Sequence, residues 1–481
     1  MEIMQHIYSL IPILNLLFAA AVVFLERKNP GVTWAWVMVL VFLPGFGFFL
    51  YLVFGQNLSR RKIYKLKEFN QKDIEAIIEG QRQGFRESEI QYKDPLMADY
   101  QDLIYMNLSS SAAVYTQDNE VVTYTDGDRK FNALLDAIRK ATNHIHLMYY
   151  IVKDDRLGQR ILEALTAKAR EGVKVRFLYD DIGSVWLPKS FFRPLVEAGG
   201  EVAVFFPSKI PYLNFRFNYR NHRKLAIIDG AVGFIGGFNI GDEYLGLLQR
   251  FGYWRDTHLK IEGSAVLQMQ AQFFMDWNLA STNSVKPEAR YYPRIPFNGH
   301  VGVQIVSSGP DSELEQIRNG YLKMIYAAKE SIYIQTPYFI PDESLMTAVK
   351  MAALAGVDIR IMIPSVPDHK MVYWATTSYL GELLNLGVKG FLYEKGFLHA
   401  KTIVIDGKVA SIGTANVDIR SFKLNFEVNA FIYDTETAAR QKKIFEKDML
   451  DCSEFTPAMF RNRSLPARFK ESLARLISPI L

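Results

Sequence analysis

Two stretches without a charged residue open the chain, Ile7 to Leu25 and Val32 to Phe54. Each is long enough to cross about 30 Å of hydrocarbon as a helix. Further on, the apolar residues fall by turns into the period of a helix and the period of a strand. Phe131 to Arg170 reads as a helix carrying Leu134, Leu135 and Ile138, a strand carrying Ile145, Leu147 and Tyr149, and a second helix. Gly172 ends that helix, and Val173, Val175, Phe177 and Tyr179 then alternate as a strand. The same order returns from Ile317: helix, strand Ile332 to Gln335, helix Ser344 to Ala355, Gly356, and strand Val357 to Ile363. Both series pass through a helix ending in glycine (Gly199 and Gly200; Gly387) to a further apolar strand, Val202 to Phe206 and Gly390 to Tyr393. The pattern predicts an α/β chain built twice, with a mostly parallel sheet and shared chemistry on a pseudo-twofold axis.

A length of 481 residues is more than one hydrophobic core serves. With 49% hydrophobic and 22% charged residues, the chain is neither disordered nor of low complexity. Its single cysteine, Cys452, excludes an intramolecular disulfide framework, a cysteine zinc site, a CxxC redox pair and an iron–sulfur cluster, and is expected to be inert. A net charge of +5 is too mild for a histone-like nucleic-acid binder, so the placement of the charges matters more than their sum. Only Arg27 and Lys28 lie between the two apolar runs, whereas Arg60, Arg61, Lys62, Lys65, Lys67 and Lys72 follow the second. The positive-inside rule then puts the large C-terminal part in the cytoplasm. Met1 to His6 offers no Lys or Arg, which argues against a cleaved signal peptide. The basic cluster either draws anionic headgroups or is ordinary flanking charge.

The two halves carry one triplet each. His222 and Lys224 are followed by Asp229, and His399 and Lys401 by Asp406, so that HxKxxxxD occurs twice with 177 positions between the histidines. After each comes an apolar strand, a glycine turn and an asparagine ten residues beyond the aspartate, Asn239 and Asn416. Strand alternation would set His and Lys of each motif on one face, about 6.5 to 7 Å apart. Two such faces brought together suit a tetrahedral phosphate. The lysines and carboxamides orient the non-bridging oxygens, one imidazole attacks phosphorus, and the other protonates the leaving oxygen. No metal or other cofactor is required. Asp229 and Asp406, each before a glycine, read as supports of a loop and not as proton carriers. His144, His146, His300 and His369 read as satisfied or incidental histidines, with a metal pair at His144 and His146 as the weaker alternative. Asp180-Asp181 looks like a metal pair, but the second half has Pro364 and Ser365 there.

These paired motifs resemble the phospholipase D superfamily. NHRKLAIIDGAVGFIGGFNIGDEYLG (Asn221 to Gly246), WRDTHLKIEG (Trp254 to Gly263) and HAKTIVIDGKVASIGTANVDIRSFKLNFEVN (His399 to Asn429), behind two apolar runs, resemble its bacterial cardiolipin synthases over nearly the whole length. The resemblance implies two tandem phospholipase-D-like domains forming one active site, behind two transmembrane helices. It implies that two phosphatidylglycerols become cardiolipin and glycerol through a phosphatidyl-histidine, with His222 the nucleophile and His399 the general acid. A phospholipase D hydrolase and a membrane-attached nuclease are the alternatives. The family also implies a carboxylate orienting each histidine, and the matching positions are Glu427 for His399 and Asp256 for His222. Where many relatives have Gly-Ser before the motif asparagine, this chain has Gly236-Gly237 and Gly413-Thr414, which leaves no serine hydroxyl in the first half.

The expected organisation is a transmembrane hairpin over 1–56, a basic juxtamembrane connector over 57–110, and phospholipase-D-like domains over 111–295 and 296–481. The expected partners are phosphatidylglycerol and anionic membrane lipid, without nucleic acid, at the cell membrane with the catalytic domains cytoplasmic. Lys209 to Lys224 interleaves basic and aromatic residues as single-strand nucleic-acid grooves do, but behind a membrane anchor it reads as an interfacial loop serving His222. Phe469, Leu473, Leu476, Ile477 and Ile480 follow helical spacing, and this C-terminal helix either lies on the membrane or packs on the domain.

Overall fold

The computed structural model describes residues 14–24, 30–44, 46–51, 71–207, 218–286, 288–293 and 295–478. They fall into two compact units, a small one containing 14–51 and a large one containing 71–207 and 219–478.

In the small unit, residues 14–24, Pro30–Phe42 and Phe46–Leu50 are helical. Val22, Leu40 and Tyr51 form its interior with Phe18, Trp36 and Phe48. The Phe18 and Phe48 rings stack at 3.8 Å, and Asn15 Nδ2 donates to the Leu40 carbonyl at 2.6 Å. Leu16, Leu17, Phe24, Trp34 and Phe42 are exposed. Among the described residues no helix is long and apolar enough to cross a membrane. The ends of both apolar runs, Arg27, Lys28 and the basic residues from Arg60 to Lys67 lie outside the described residues.

The large unit is organised by one sheet. Its first half supplies β1 (Thr116–Tyr124), β2 (His144–Tyr149), β3 (Lys174–Asp180), β4 (Glu201–Phe205), β5 (Leu225–Ile228), β6 (Val232–Gly236) and β8 (His258–Glu262), with β7 (Tyr253–Arg255) outside the sheet. The second half follows with β9 (Val301–Ser308), β10 (Ser331–Gln335), β11 (Phe339–Ile340), β12 (Asp358–Pro364), β13 (Lys389–Tyr393) and β14 (Gly396–Leu398). It ends with β15 (Thr402–Ile405), β16 (Val409–Gly413), β17 (Val417–Asp418), β18 (Glu427–Tyr433) and β19 (Cys452–Phe455), with β11, β14 and β17 outside the sheet. The order β19-β13-β12-β10-β15-β16-β18-β9-β1-β8-β6-β5-β2-β3-β4 reads nearly the same from its centre outwards in both directions. The antiparallel pair β1–β9 joins the halves, so two repeats make one continuous sheet.

That sheet is mixed, which corrects the expectation of a mostly parallel one. Only β2, β3 and β4, and likewise β10, β12 and β13, run parallel. Helical crossovers such as Arg156–Arg170 permit that arrangement. The tight turn at Asp229-Gly230 folds β6 straight back on β5, and β8 and β1 add antiparallel beyond it. Helices Gly127–Lys140 and Arg156–Arg170 bury Phe131, Leu134, Leu135, Ile138, Leu157, Ile161 and Leu165 in the first half's core. Asp126 and Asp155 cap their N-termini by accepting from the N–H of Arg129 and Gly158, a contribution of about 1 kcal/mol each.

From residue 71 the chain packs into the core of the second half. Ile78, Phe85, Leu103, Ile104 and Leu108 sit in one cluster with Ile317, Tyr321 and Ile332. Gln304 of β9 donates to the carbonyls of Ile104 and Ala113 at 3.0 and 2.7 Å. The C-terminal helix Leu465–Leu476 docks by its small and polar side. Ala474 is buried and Arg475 reaches Glu382 at 2.5 Å, while Leu465, Phe469, Leu473 and Leu476 are exposed.

Candidate active site

Two short backbone contacts between the halves place the histidines. Strand β7 pairs parallel with β14, and the His399 N–H donates to the Arg255 carbonyl at 2.7 Å. On the other side Asn221 bridges Phe426: the His222 N–H donates to the Phe426 carbonyl at 3.0 Å, and Phe426 N–H to that of Arg220 at 2.9 Å. Each histidine therefore emerges beside the acid of the opposite half. His222 Nδ1 lies 2.9 and 3.0 Å from the Glu427 carboxylate oxygens, and His399 Nδ1 lies 2.6 Å from Asp256 Oδ2. The expected assignment of Glu427 to His399 and Asp256 to His222 is thus reversed. Both acids are fully buried, and each histidine keeps 9% of its surface exposed. With Nδ1 committed, Nε2 is the nitrogen left for a ligand.

The motifs lie in extended segments just before β5 and β15, not in strands as expected. Each lysine curls back on its own motif: Lys224 Nζ donates to the His222 carbonyl at 2.6 Å, and Lys401 Nζ to that of His399. Burial lowers His222 well below its ordinary value, and Lys224, Lys401, His399 and Arg220 act in the same direction, so its imidazole is neutral. The short contact to Glu427 is accordingly a hydrogen bond and not a full ion pair. Burial also lowers His399, with Lys401, but Asp256 opposes it by charge and by hydrogen bond. Burial acts to raise Asp256, yet His399, Lys401 and the bonds from His399 and the Thr257 N–H outweigh it and hold it below the usual range. Glu427 is pushed up to about 7 by burial against the pull of Lys224. Burial lowers Lys224 well below its ordinary value and Lys401 to about 8. A phosphodiester bound here adds negative charge beside lysines and histidines that burial has depressed.

Asp229 accepts from the backbone N–H of Thr142, Asn143 and His144, and Asp406 from those of Lys329, Glu330 and Ser331. Both aspartates have left-handed φ, 54° and 53°, and tie the motif turn to the start of the neighbouring strand. Burial acts to raise Asp229, but its hydrogen bonds prevail and hold it below the usual carboxylate range. Asn239 Oδ1 accepts from the Ile151 N–H at 3.0 Å while its Nδ2 donates to Tyr244, and Asn416 Nδ2 donates to Asp418 at 3.1 Å. At Gly237 a Cβ would lie 2.0 Å from Asp256 Oδ1, so glycine is the residue that admits this acid. In the second half Thr414 fills the matching position, and its hydroxyl accepts from Val428 N–H at 2.9 Å.

Residues 134–277 and 321–449 match the family described as cardiolipin synthase, PLD-like domain, and 13–56 match the phospholipase D–nuclease N-terminal family. The chain is 54% identical to a cardiolipin synthase of Listeria monocytogenes serotype 4b (strain CLIP80459) and 52% identical to the major cardiolipin synthase ClsA of Bacillus subtilis (strain 168), over the whole of each chain. The chain belongs to the cardiolipin synthase family. A phosphatidylserine synthase of Haemophilus influenzae Rd KW20 shares the fold at a TM-score of 0.61 and 14% identity, covering 79% of this chain and 100% of that one.

Within this family member, sequence reasoning missed two arginines beside the motif residues. Arg223 binds Asp276 through Nη1 at 2.6 and 2.7 Å, and its Nε and Nη2 donate to the carbonyls of Glu427 and Ser308, both at 3.1 Å. Arg255 reaches Asp448 of the other half at 2.9 Å and also donates to Thr257. An arginine adjacent in sequence to His222 and to Asp256 was the available signal. Asp180 is buried and serves the backbone. It accepts from the N–H of Ile182 and Gly183 and, at 2.7 Å, from Asn221 next to His222, and burial pushes it up to about 6. His144 and His146 share Gln270 at 2.9 and 3.1 Å, and burial lowers His144 to about 4, so both are core residues. Burial lifts Cys452 to about 12, which keeps its thiol protonated. Among the described residues no three His, Cys, Asp or Glu side chains converge as a metal site.

Proposed function

We propose that the protein is a membrane-anchored phosphatidyltransferase that makes cardiolipin and glycerol from two phosphatidylglycerols. The observation that carries this reading is the crossed pair of buried imidazole–carboxylate contacts, His222 with Glu427 and His399 with Asp256, in a chain alike over its full length to cardiolipin synthases. In the first step His222 Nε2 attacks phosphorus, the bond from phosphorus to the glycerol oxygen breaks, and His399 Nε2–H gives that oxygen its proton. Neutrality of His222 favours this direction, since only an unprotonated imidazole attacks. The ionised Asp256 and the incoming phosphodiester both favour a proton on His399. Lys224, Lys401, Asn239 and Asn416 orient the phosphoryl oxygens, and Asp229 and Asp406 hold their loops. In the second step the terminal hydroxyl of another phosphatidylglycerol gives its proton to His399 and bonds to phosphorus, and the phosphorus–nitrogen bond breaks. One phosphodiester replaces another, so no nucleotide is consumed.

The anchor is read as two transmembrane helices over 1–56, then the connector over 57–110 and the catalytic repeats over 111–295 and 296–481 in the cytoplasm. Support comes from the outward apolar side chains Leu16, Leu17, Trp34 and Phe42 and from the basic residues that follow. The pure protein with phosphatidylglycerol in mixed micelles tests the activity. Cardiolipin and glycerol in equal amounts support it, whereas phosphatidic acid alone would replace it by hydrolysis.

A further inference from the structure

Exposed apolar side chains collect at the edge of the sheet that carries the motifs. Met148 near the end of β2 pairs with Leu225, the residue after Lys224, and Gln335 at the end of β10 pairs with Thr402, the residue after Lys401. β3 and β12 run parallel to β2 and β10, so the loops leaving their carboxyl ends lie on the same edge as the histidines. After β3 comes a tight turn, Ser184 to Leu187, closed by the Leu187 N–H donating to the Ser184 carbonyl at 2.9 Å. Its base is fastened beside the site. Ser184 Oγ accepts from the Val152 N–H at 3.0 Å and donates to the Tyr150 carbonyl at 3.1 Å, and the Tyr150 ring stands 4.9 Å from that of His222. At the tip Val185 is 66% exposed and Trp186 93%.

The second half shows apolar side chains at the same edge. Val366 follows β12 and Met371 opens the helix Lys370–Leu384, and both are exposed. The C-terminal helix Leu465–Leu476 packs on that helix. Its Ala474 clusters with Ala375 and Ile340, and Ile340 pairs with Asp418, two residues after Asn416. Leu465, Phe469, Leu473 and Leu476 form an outward stripe at helical spacing. Arg461, Arg468 and Lys470 are exposed with it, while the helix's one acid, Glu471, is buried against Arg463. An apolar stripe among cations without exposed acid suits an anionic lipid surface, and an indole held outward suits the level of the headgroups. The substrate points to the same occupant. A phosphatidylglycerol phosphate reaches the histidines with its acyl chains still in hydrocarbon only where the rim of the site touches the bilayer.

We infer that this edge is a membrane-seating surface: Val185 and Trp186 of the first half and the outward stripe of the C-terminal helix enter the interface of a phosphatidylglycerol bilayer and hold the mouth of the site on it. This rests on the proposed use of a lipid substrate and goes beyond the anchor. A tether keeps the catalytic repeats near the membrane, whereas two apolar footings at the motif edge also fix which side faces it.

The test uses the full chain in two formats, proteoliposomes of phosphatidylglycerol and phosphatidylcholine, and dilute detergent with dissolved dihexanoyl-phosphatidylglycerol. Val185→Ser/Trp186→Ser and Phe469→Ser/Leu473→Ser change only exposed side chains. Each should lose about tenfold or more of its turnover in proteoliposomes and stay within about twofold of the wild type on the dissolved lipid, which also reports folding. A nitroxide on Trp186→Cys in a Cys452→Ser background reads the contact directly. In proteoliposomes it should relax with oxygen and be shielded from a water-soluble nickel chelate. A label open to the chelate, or equal effects of the variants in both formats, would overturn the surface. Spin–spin broadening between copies would replace the bilayer by a second copy of the chain. Phosphatidic acid in place of cardiolipin from the wild type would instead overturn the transfer reading, and the nitroxide would still decide the surface.

Discussion

The crossing of the carboxylates has a kinetic signature that separates it from the pairing within each half. Asp256→Asn removes the charge beside His399, and Glu427→Gln removes the carboxylate that holds His222. The contact between His399 and Asp256 is 2.6 Å, for which Coulomb's law at an effective dielectric near 20 gives a ceiling of about 6 kcal/mol once the imidazole is protonated. A neutral amide still fills the space, and breaking a buried pair costs about 3–5 kcal/mol, so the loss expected in the step that needs protonated His399 is about 10²–10⁴-fold. That loss depends on the leaving group. Phosphatidylglycerol must expel an alkoxide and needs the acid, whereas a phosphatidyl-nitrophenol expels a phenolate unaided. Asp256→Asn is therefore expected to lose turnover of phosphatidylglycerol and keep the single-turnover burst of nitrophenol to within about tenfold, with the adduct on His222 by mass spectrometry. Glu427→Gln is expected to slow both substrates alike, because it disturbs the attacking imidazole. Thermal melts of both variants report folding separately. A retained burst in Glu427→Gln together with a lost burst in Asp256→Asn would refute the crossed assignment, or the roles given to the two histidines.

Other outcomes follow from the same geometry. Lys401 has its pKa lowered to about 8, so its cation is fully present below that value and lost above it; kcat/KM for phosphatidylglycerol in a pH series should fall above about 8, and a flat profile to pH 10 would count against its phosphate role. Asp229→Ala leaves three backbone N–H groups without an acceptor and should cost about 1.5–3 kcal/mol in urea unfolding, with residual activity following the folded fraction. Since Asp229 is held below its ordinary value, its contribution is present above about pH 4 and lost as pH falls through the folded value, and the variant's deficit should shrink there. Chelators should leave most turnover intact, and complete loss restored by one metal would sink the two-histidine mechanism. A Lys189→Cys probe in a Cys452→Ser background should resist an impermeant thiol reagent in intact cells and react after lysis; labelling without lysis would reverse the topology.

The repeat was legible in the sequence because each of its parts carries a local signal. The apolar alternation of β3 and β12, the glycines after their preceding helices, and the paired HxKxxxxD motifs all lie within windows of a few residues, where side-chain periodicity is informative. Asp229 and Asp406 were legible as loop supports for the same reason, since an aspartate before glycine marks a turn. Sheet direction was less so. A strand pattern does not say which way the chain runs, and the antiparallel group β5, β6, β8 and β1 follows from turns and not from composition.

The pairing of acids with histidines was beyond any window. Spacing relates Glu427 to His399 because both lie in one half, but it is distance in the folded chain that orients an imidazole. That distance is set by two contacts that no periodicity announces: the three-residue pairing of β7 with β14, and the single bridge between Asn221 and Phe426. Both join opposite halves, so each half carries one histidine and the acid that the other half needs. A separated repeat would hold an imidazole without its carboxylate and a buried acid without its partner. Arg223 and Arg255 fit this arrangement, since each sits beside a site residue and grips the opposite half, at the Glu427 carbonyl and at Asp448. Catalytic competence and the joining of the halves are therefore one structural event. Mutations in the β1–β9 seam should act on turnover through the crossed contacts as much as through stability, since β9 ends at Ser308, paired with Glu427.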